Sequence, residues 1–271
     1  MSGRLFRDLH RGPGLLLLPN AWDALTARLI ESLGARAVAT TSAGLAWSRG
    51  YPDGNALPED QLIAAIRDIA RVIRVPLTVD IEAGYSDDPA AVARLVARVL
   101  AVGAVGINIE DGEGSPDLLC KKVAAIRDHV AHSGADLFIN TRTDVYLRGI
   151  ARGEAAIEEV IGRASRYRAA GCDGLFVPGL STADAMAAIS AAIEPMPLNI
   201  MAVPDLPSVD TLKKSGVRRL SAGSSIAQAA IGRTSRLVSS FLAGTMSEMF
   251  DEPADYTAVN RLFAAGAPGV S

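Results

Sequence analysis

Cysteine, histidine and aromatic side chains are what this sequence has least of: two, three and 5% respectively, in 271 residues. Two cysteines, Cys120 and Cys172, cannot form a disulfide framework, so a reducing cytoplasm is the expected compartment. With 5% aromatics against 49% hydrophobic residues, the core has to be built from Ala, Val, Leu and Ile. That is the usual filling of a buried parallel sheet. The formal net charge of −3 offers no basic face, which argues against nucleic acid as a partner. No charged-then-apolar signal segment opens the sequence, and the run Leu15, Leu16, Leu17, Leu18 is far too short to span a bilayer.

What the sequence does have is one recurring unit: an amphipathic helix, a glycine, then an apolar run ending in a polar residue. Gly34, Gly103, Gly171 and Gly216 mark four copies. A glycine just past a helix end accepts the left-handed backbone that closes the last turn. Short joints between alternating helices and strands imply a parallel sheet. Eight strands are expected, over 15–18, 37–41, 77–80, 106–109, 137–140, 174–177, 198–201 and 219–221. Eight parallel strands with intervening helices predict a (β/α)8 TIM-type barrel, and 271 residues fit one such domain. Residues from about 245 onward read as a helical extension beyond it.

In such barrels the active site lies at the C-terminal strand ends. Those positions carry Asn20, Ser42, Asp80 with Glu82, Glu110 with Asp111, Asn140 with Arg142 and Asp144, Asn199 and Ser221. The acidic clusters Asp80-Ile81-Glu82 and Ile109-Glu110-Asp111 each follow an apolar run, which points carboxylates beyond two strand tips. Such an oxygen-rich site suits Mg²⁺, which keeps several waters and takes only one or two carboxylates directly.

Leu18-Pro19-Asn20-Ala21-Trp22-Asp23, Thr41-Ser42-Ala43-Gly44-Leu45-Ala46 and Tyr51-Pro52-Asp53-Gly54 are three of six motifs carrying a resemblance. The others are Asp80-Ile81-Glu82-Ala83-Gly84-Tyr85, Ile109-Glu110-Asp111 and Asn140-Thr141-Arg142-Thr143-Asp144. In order and spacing the sequence resembles the isocitrate lyase/phosphoenolpyruvate mutase superfamily. The resemblance implies a Mg²⁺-dependent site (Mn²⁺ as alternative) for a small 2-oxo acid that passes through a pyruvate-like enolate. It implies Asp80 as direct metal ligand, with Glu82 and Glu110 holding the metal's waters. Arg142, Asp53 and Glu110 are the implied catalytic residues. Arg142 and the turn Ser42, Ala43, Gly44 would hold the substrate carboxylate.

Several of these residues have a second reading. Arg142 could instead pair with Asp144 or Glu110 in a buried network. Asp53 lies in a Pro-Asp-Gly turn, where Asp is favoured for local hydrogen bonding alone. Tyr85 either touches the site or packs beside the metal loop. Trp22, like Trp47, either walls the pocket or packs between helices. Asn199 either meets the distal end of the substrate or is satisfied by its neighbours.

Departures from the superfamily pattern narrow the reaction. Isocitrate and methylisocitrate lyases carry a loop with a Lys-Lys/Arg-Cys-Gly-His motif, whose cysteine is the acid/base. Here Glu110 is followed by Asp111-Gly112-Glu113-Gly114-Ser115-Pro116, and Cys120 falls in an expected helix. The longer Lys/Asn gating loop of the mutase and phosphonopyruvate hydrolase branch is also missing. Val177-Pro178-Gly179 lacks the glutamate the lyases show there. His10 lies in the N-terminal segment, while His129 and His132 fall near a helix end, where the dipole favours them.

The metal and carboxylate half of the site is therefore present without the acid/base half. The leading expectation is an oxaloacetate decarboxylase-like C–C lyase. The alternatives are a phosphonopyruvate/phosphoenolpyruvate mutase or hydrolase, a methylisocitrate lyase-like enzyme with a rebuilt loop, and a non-catalytic 2-oxo acid binder. The resemblance also implies a C-terminal helix exchanged between subunits of a homodimer or homotetramer. Ile231, Leu237, Phe241 and Leu242 could serve that exchange, though an unswapped helix would show the same pattern.

Overall fold

A computed structural model describes residues 2–12 and 14–264. Helix α1 (Ser2–Arg11) precedes β1 (Leu16–Leu18) and β2 (Asn20–Ala21), followed by α2 (Ala24–Ser32), β3 (Val38–Thr40), α3 (Ser42–Ser48) and α4 (Glu59–Val72). Strand and helix then alternate through β4 (Leu77–Asp80), α5 (Pro89–Ala101), β5 (Gly106–Glu110), α6 (Pro116–Ser133), β6 (Phe138–Arg142) and α7 (Glu154–Ala170). The remainder is β7 (Gly174–Phe176), α8 (Ala183–Ile193), β8 (Leu198–Met201), α9 (Val209–Lys214) and β9 (Val217–Ser221). Beyond the sheet lie α10 (Ser225–Leu242) and α11 (Tyr256–Ala264), with a 3-10 turn at Ser247–Phe250 between them.

Every strand pair is parallel, and the order β1-β9-β8-β7-β6-β5-β4-β3-β2 brings the first and last elements together. Nine strands appear where eight were expected, and Pro19 is the reason. Lacking an N–H, it interrupts the first strand, yet its carbonyl still accepts Ala39 N–H at 3.1 Å. The two pieces therefore act as one stave, and the fold is a (β/α)8 TIM-type barrel. Strand β6 also runs further than 137–140, because Asn140 and Arg142 continue the ladder against Asn108 and Glu110. That extension puts Arg142 on rigid backbone.

The helix ends follow the expected chemistry. Asp88 and Ser115 cap α5 and α6, each with proline at the first helical position. Gly34, Gly103, Gly171 and Gly216 all take left-handed φ, at 91°, 107°, 106° and 80°. The main core lies between the sheet and its helices and includes Val79, Ile81, Ile107, Ile109, Ile139 and Leu175.

A second, smaller cluster fills the N-terminal end of the barrel. There α1 inserts Phe6 and Leu9 against Leu16, Leu18, Val105 and Phe138. His10, on the same helical face, stacks on Phe138 at 4.3 Å between centroids. The helix is amphipathic in the ordinary sense, with Phe6, Leu9 and His10 one turn apart. By contrast α10 packs little against its own barrel: of its residues only Ala227 is buried. Ile226, Ile231, Val238, Phe241 and Leu242 are exposed, and so is Leu17 on the outer face of β1.

Candidate active site

The rim at the C-terminal strand ends is set by register. Glu110 pairs with Arg142 across β5 and β6, and Asp80 pairs with Asn108 across β4 and β5. Asp80, Glu110 and Arg142 therefore leave three adjacent staves at one end of the barrel. Arg142 Nη1 lies 2.7 Å from Glu110 Oε2, while its Nε and Nη2 donate to Asp144 Oδ1 and Oδ2 at 2.6 and 3.0 Å. The paired-network reading of Arg142 thus holds, and two of its five N–H groups are left for a ligand.

Burial decides the titration of this cluster. It pushes Glu110 up to about 8, with Asp80 repelling in the same sense and Arg142 opposing. Asp80 is raised chiefly by burial, against the pull of Arg142 and of the Glu82 N–H, which donates to Asp80 Oδ1 at 3.1 Å. Glu82 is raised by burial too, while the N–H of Asn55 and the Tyr85 hydroxyl counter it. Three carboxylates, Glu82 buried and Asp80 and Glu110 half-buried, are raised toward protonation around one arginine and make a site short of positive charge.

The loop after β4 is forced into shape. Glu82 and Tyr85 take φ of +52° and +60°, and Asn55 opposite takes +59°. Such values are uncommon for residues other than glycine and mark stored strain. Three bonds hold them: Asn55 N–H to Glu82 Oε2, Tyr85 N–H to Asn55 Oδ1 at 3.3 Å, and Tyr85 Oη to Glu82 Oε1 at 3.0 Å. Tyr85 accordingly contacts the site through Glu82. Asp53 is exposed on the neighbouring turn, and its charge is felt at Asp80 and Glu82.

The other wall is the first turn of α3. Ser42, Ala43 and Gly44 offer N–H groups that helix geometry leaves without intrahelical acceptors. Gly44 has no alternative: a Cβ there would lie 2.8 Å from both Thr41 Cγ2 and Trp22 Cβ. Trp22 thus backs the cradle by packing on it. Behind β5 and β6 stands Asp111, which the sequence reading named without assigning a role. Its carboxylate accepts from Thr143 Oγ1 (2.8 Å), Asp144 N–H (3.0 Å), Arg163 Nη1 (2.8 Å) and Tyr167 Oη (2.6 Å). Through Asp144 it fixes Arg142.

Asn199 departs from the substrate-contact expectation. It is buried inside the barrel, its Oδ1 accepting from Asn140 and its Nδ2 donating to Ile200 O, Arg219 O and Ser221 Oγ. An inward strand position with all its bonds made has nothing left for substrate. Arg219, missed entirely, lies fully buried in the same layer and donates Nη2 to Asn108 Oδ1 at 3.2 Å. Asn20 is a seam lock rather than a ligand: its Oδ1 accepts the N–H groups of Ala222 and Gly223. Cys120 sits in α6 against the aliphatic core, and burial raises its thiol.

Among the described residues no three His, Cys, Asp or Glu side chains converge into a protein-only metal cage. A cation that keeps most of its waters does not need one, and the charge-deficient carboxylates fit such an ion.

The chain matches the phosphoenolpyruvate phosphomutase family over residues 6–242. It belongs to that family. The resemblance to the isocitrate lyase/phosphoenolpyruvate mutase superfamily is therefore shown over most of the barrel. The Mycobacterium tuberculosis (strain H37Rv) protein Rv1998c, itself uncharacterized, is 38% identical over 81% of each chain. An oxaloacetate decarboxylase from Rhodopseudomonas palustris (strain TIE-1) is 30% identical over 78% of this chain and 75% of its own. A solved structure of a provisionally named phosphonomutase from Burkholderia cenocepacia J2315 superposes with a TM-score of 0.83. It is 37% identical and covers 88% of this chain and 99% of its own. The family is one of enzymes, with lyases and mutases among the named relatives, and no helix among the described residues is long and apolar enough to cross a membrane.

Proposed function

We propose that this enzyme is a Mg²⁺-dependent lyase of small 2-oxo dicarboxylic acids, with decarboxylation of oxaloacetate as its reaction. The observation that carries the reading is the gathering of Asp80, Glu82 and Glu110 around Arg142 at one end of the barrel, with Arg142 Nη1 2.7 Å from Glu110 Oε2 and the Glu82 N–H donating to Asp80 Oδ1 at 3.1 Å. Asp80 would hold the ion directly, with Glu82 and Glu110 on its waters; Mn²⁺ could take the same place. When bound, the ion supplies Lewis-acid stabilisation for charge developing on the substrate's keto oxygen.

The chain's own residues do the rest. Arg142, locked by Asp144, turns its two remaining N–H groups to the substrate's C1 carboxylate. The N–H groups at Ser42, Ala43 and Gly44 close on the same end and orient it. The C3–C4 bond breaks, its electron pair passes through C3 to the keto oxygen, and C4 leaves as CO₂. Water then supplies the proton to C3, so no positioned acid is required. This fits a chain whose lyase cysteine loop is replaced by a tight Gly-Glu-Gly-Ser-Pro segment.

We also infer that α10 is exchanged with a second copy in a homodimer, or in a homotetramer built from such dimers. Its exposed apolar face, and the cleft of about 760 Å³ beside the uncovered Leu17, Leu29 and Leu33, support that reading.

A substrate panel tests the proposed reaction. Pyruvate should form from oxaloacetate without phosphate being released from phosphonopyruvate. Phosphate release instead would move the enzyme to carbon–phosphorus chemistry. Tight binding of pyruvate without turnover of any member would make it a 2-oxo acid binder.

A further inference from the structure

A cavity of about 550 Å³ adjoins the rim, and Glu110 and Asp144, the two carboxylates that hold Arg142, form part of its wall. Two other cations line it, Lys122 and Arg148. Lys122 is committed: it is buried, and its Nζ donates to Ala83 O at 2.9 Å and Asp87 Oδ1 at 3.4 Å. Arg148 is not. Its side chain is 42% exposed, and its one ion-pair partner is Glu113, 82% exposed, at 2.7 Å.

The backbone keeps this arginine close to the chemistry. Arg148 N–H donates to Asp144 O at 2.9 Å, so one turn of backbone separates the two residues. Glu113 sits between Gly112, at φ +50°, and Gly114, whose N–H donates to Asp111 O at 2.7 Å, so a tight turn presents its carboxylate to Arg148. An exposed ion pair of this kind contributes little to stability. Its place on the cavity wall calls for a different explanation.

Resting on the reading of the site as a 2-oxo diacid decarboxylase, we propose that Arg148 faces the departing carboxylate and that Glu113 holds its charge off it. The logic is that of differential binding. In decarboxylation C4 begins as a carboxylate and ends as neutral CO₂, so a cation paired with it stabilises the bound substrate more than the transition state. An arginine beside that group attracts diacids into the site. Left unpaired, it would also hold them in the ground state. Glu113 neutralises Arg148 at short range while leaving it in the cavity, which makes Glu113 and Arg148 positioning residues for the distal end and selectors of diacid over monoacid.

The experiment compares wild type, Glu113→Gln, Arg148→Ala and the double variant with saturating Mg²⁺. Freeing Arg148 in Glu113→Gln should lower KM for oxaloacetate and lower kcat together, each by about five-fold. Arg148→Ala added to it should restore kcat. In calorimetry, Glu113→Gln should tighten 2-oxoglutarate by a similar factor and leave 2-oxobutyrate unchanged, and Arg148→Ala should abolish the difference. A merely structural ion pair would move neither ratio. Unchanged KM and kcat in Glu113→Gln, or equal tightening of diacid and monoacid, overturns the proposal. If wild type does not decarboxylate oxaloacetate, the functional reading falls, and the calorimetric selectivity still decides the role of Arg148.

Discussion

Replacing Asp111 with alanine should damage fold and site together, by a predictable amount. The carboxylate has no solvent exposure and accepts four hydrogen bonds, from Thr143, Asp144, Arg163 and Tyr167. Arg163 would keep only Glu159, on the surface side. Removing one partner of a buried ion pair costs about 3–5 kcal/mol, because the other charge is left uncompensated. For a chain near this size each kcal/mol shifts the melting temperature by about 2–4 °C, so Asp111→Ala should melt on the order of 10 °C lower. Tyr167→Phe is the graded control. It removes one bond to a charged group, about 1–3 kcal/mol, and leaves Thr143 and Arg163 in place. The two variants should also separate in kinetics. Asp111→Ala frees the Asp144 backbone that fixes Arg142, so kcat/KM should fall at least ten-fold at a temperature where the variant is folded, whereas Tyr167→Phe should stay near wild type. Thermal melts and urea titrations read the first effect, and oxaloacetate turnover the second. An Asp111→Ala protein melting within about 2 °C of wild type with unchanged kcat/KM would mean that neither the fold nor Arg142 depends on this carboxylate.

Two further outcomes follow from the same structure. Cys120→Ala should retain oxaloacetate turnover within about two-fold, because the thiol packs against the core; a loss as large as that of a metal-ligand variant would restore a lyase with a rebuilt cysteine loop. His10 is held far below its ordinary 6.5, at about 3, by burial first and then by the charges of Arg219 and Arg7. The unfolded chain therefore binds a proton near pH 6.5 that the folded chain refuses until about pH 3. Stability from this residue should fall as pH drops through that window, by about 1.4 kcal/mol per pH unit. In His10→Phe the difference between the two urea-midpoint profiles should carry that slope; parallel profiles would contradict it.

How far the sequence alone reaches is visible residue by residue. The staves were legible because each is a short aliphatic run, and the glycines at 34, 103, 171 and 216 were legible because a closing helix needs left-handed backbone. Asp80, Glu110 and Arg142 could be placed on one rim from their positions at run ends. The split of the first stave had a signal in Pro19, whose missing N–H was read only as part of a motif. Helix α1 had one too, in the spacing of Phe6, Leu9 and His10. Nothing local says that this face plugs the barrel, because its partners Val105 and Phe138 lie some hundred residues away. The pairing of Arg142 with Asp144 or Glu110 can be named from the sequence as an alternative, but that Arg142 makes both at once depends on rotamers and register. Asn199 is different: a strand-end asparagine fits a rim or an interior position equally well in sequence, and only the structure shows its side chain in a layer of asparagines already bonded to one another.

In the proposed reaction Asp80 anchors the ion on which decarboxylation depends. The most direct test is the rate of pyruvate formation from oxaloacetate with saturating Mg²⁺, wild type against Asp80→Ala at equal free metal, since free Mg²⁺ alone speeds this reaction. The variant should fall to the rate of free Mg²⁺ without enzyme. Equal rates in the two proteins would contradict that role of Asp80.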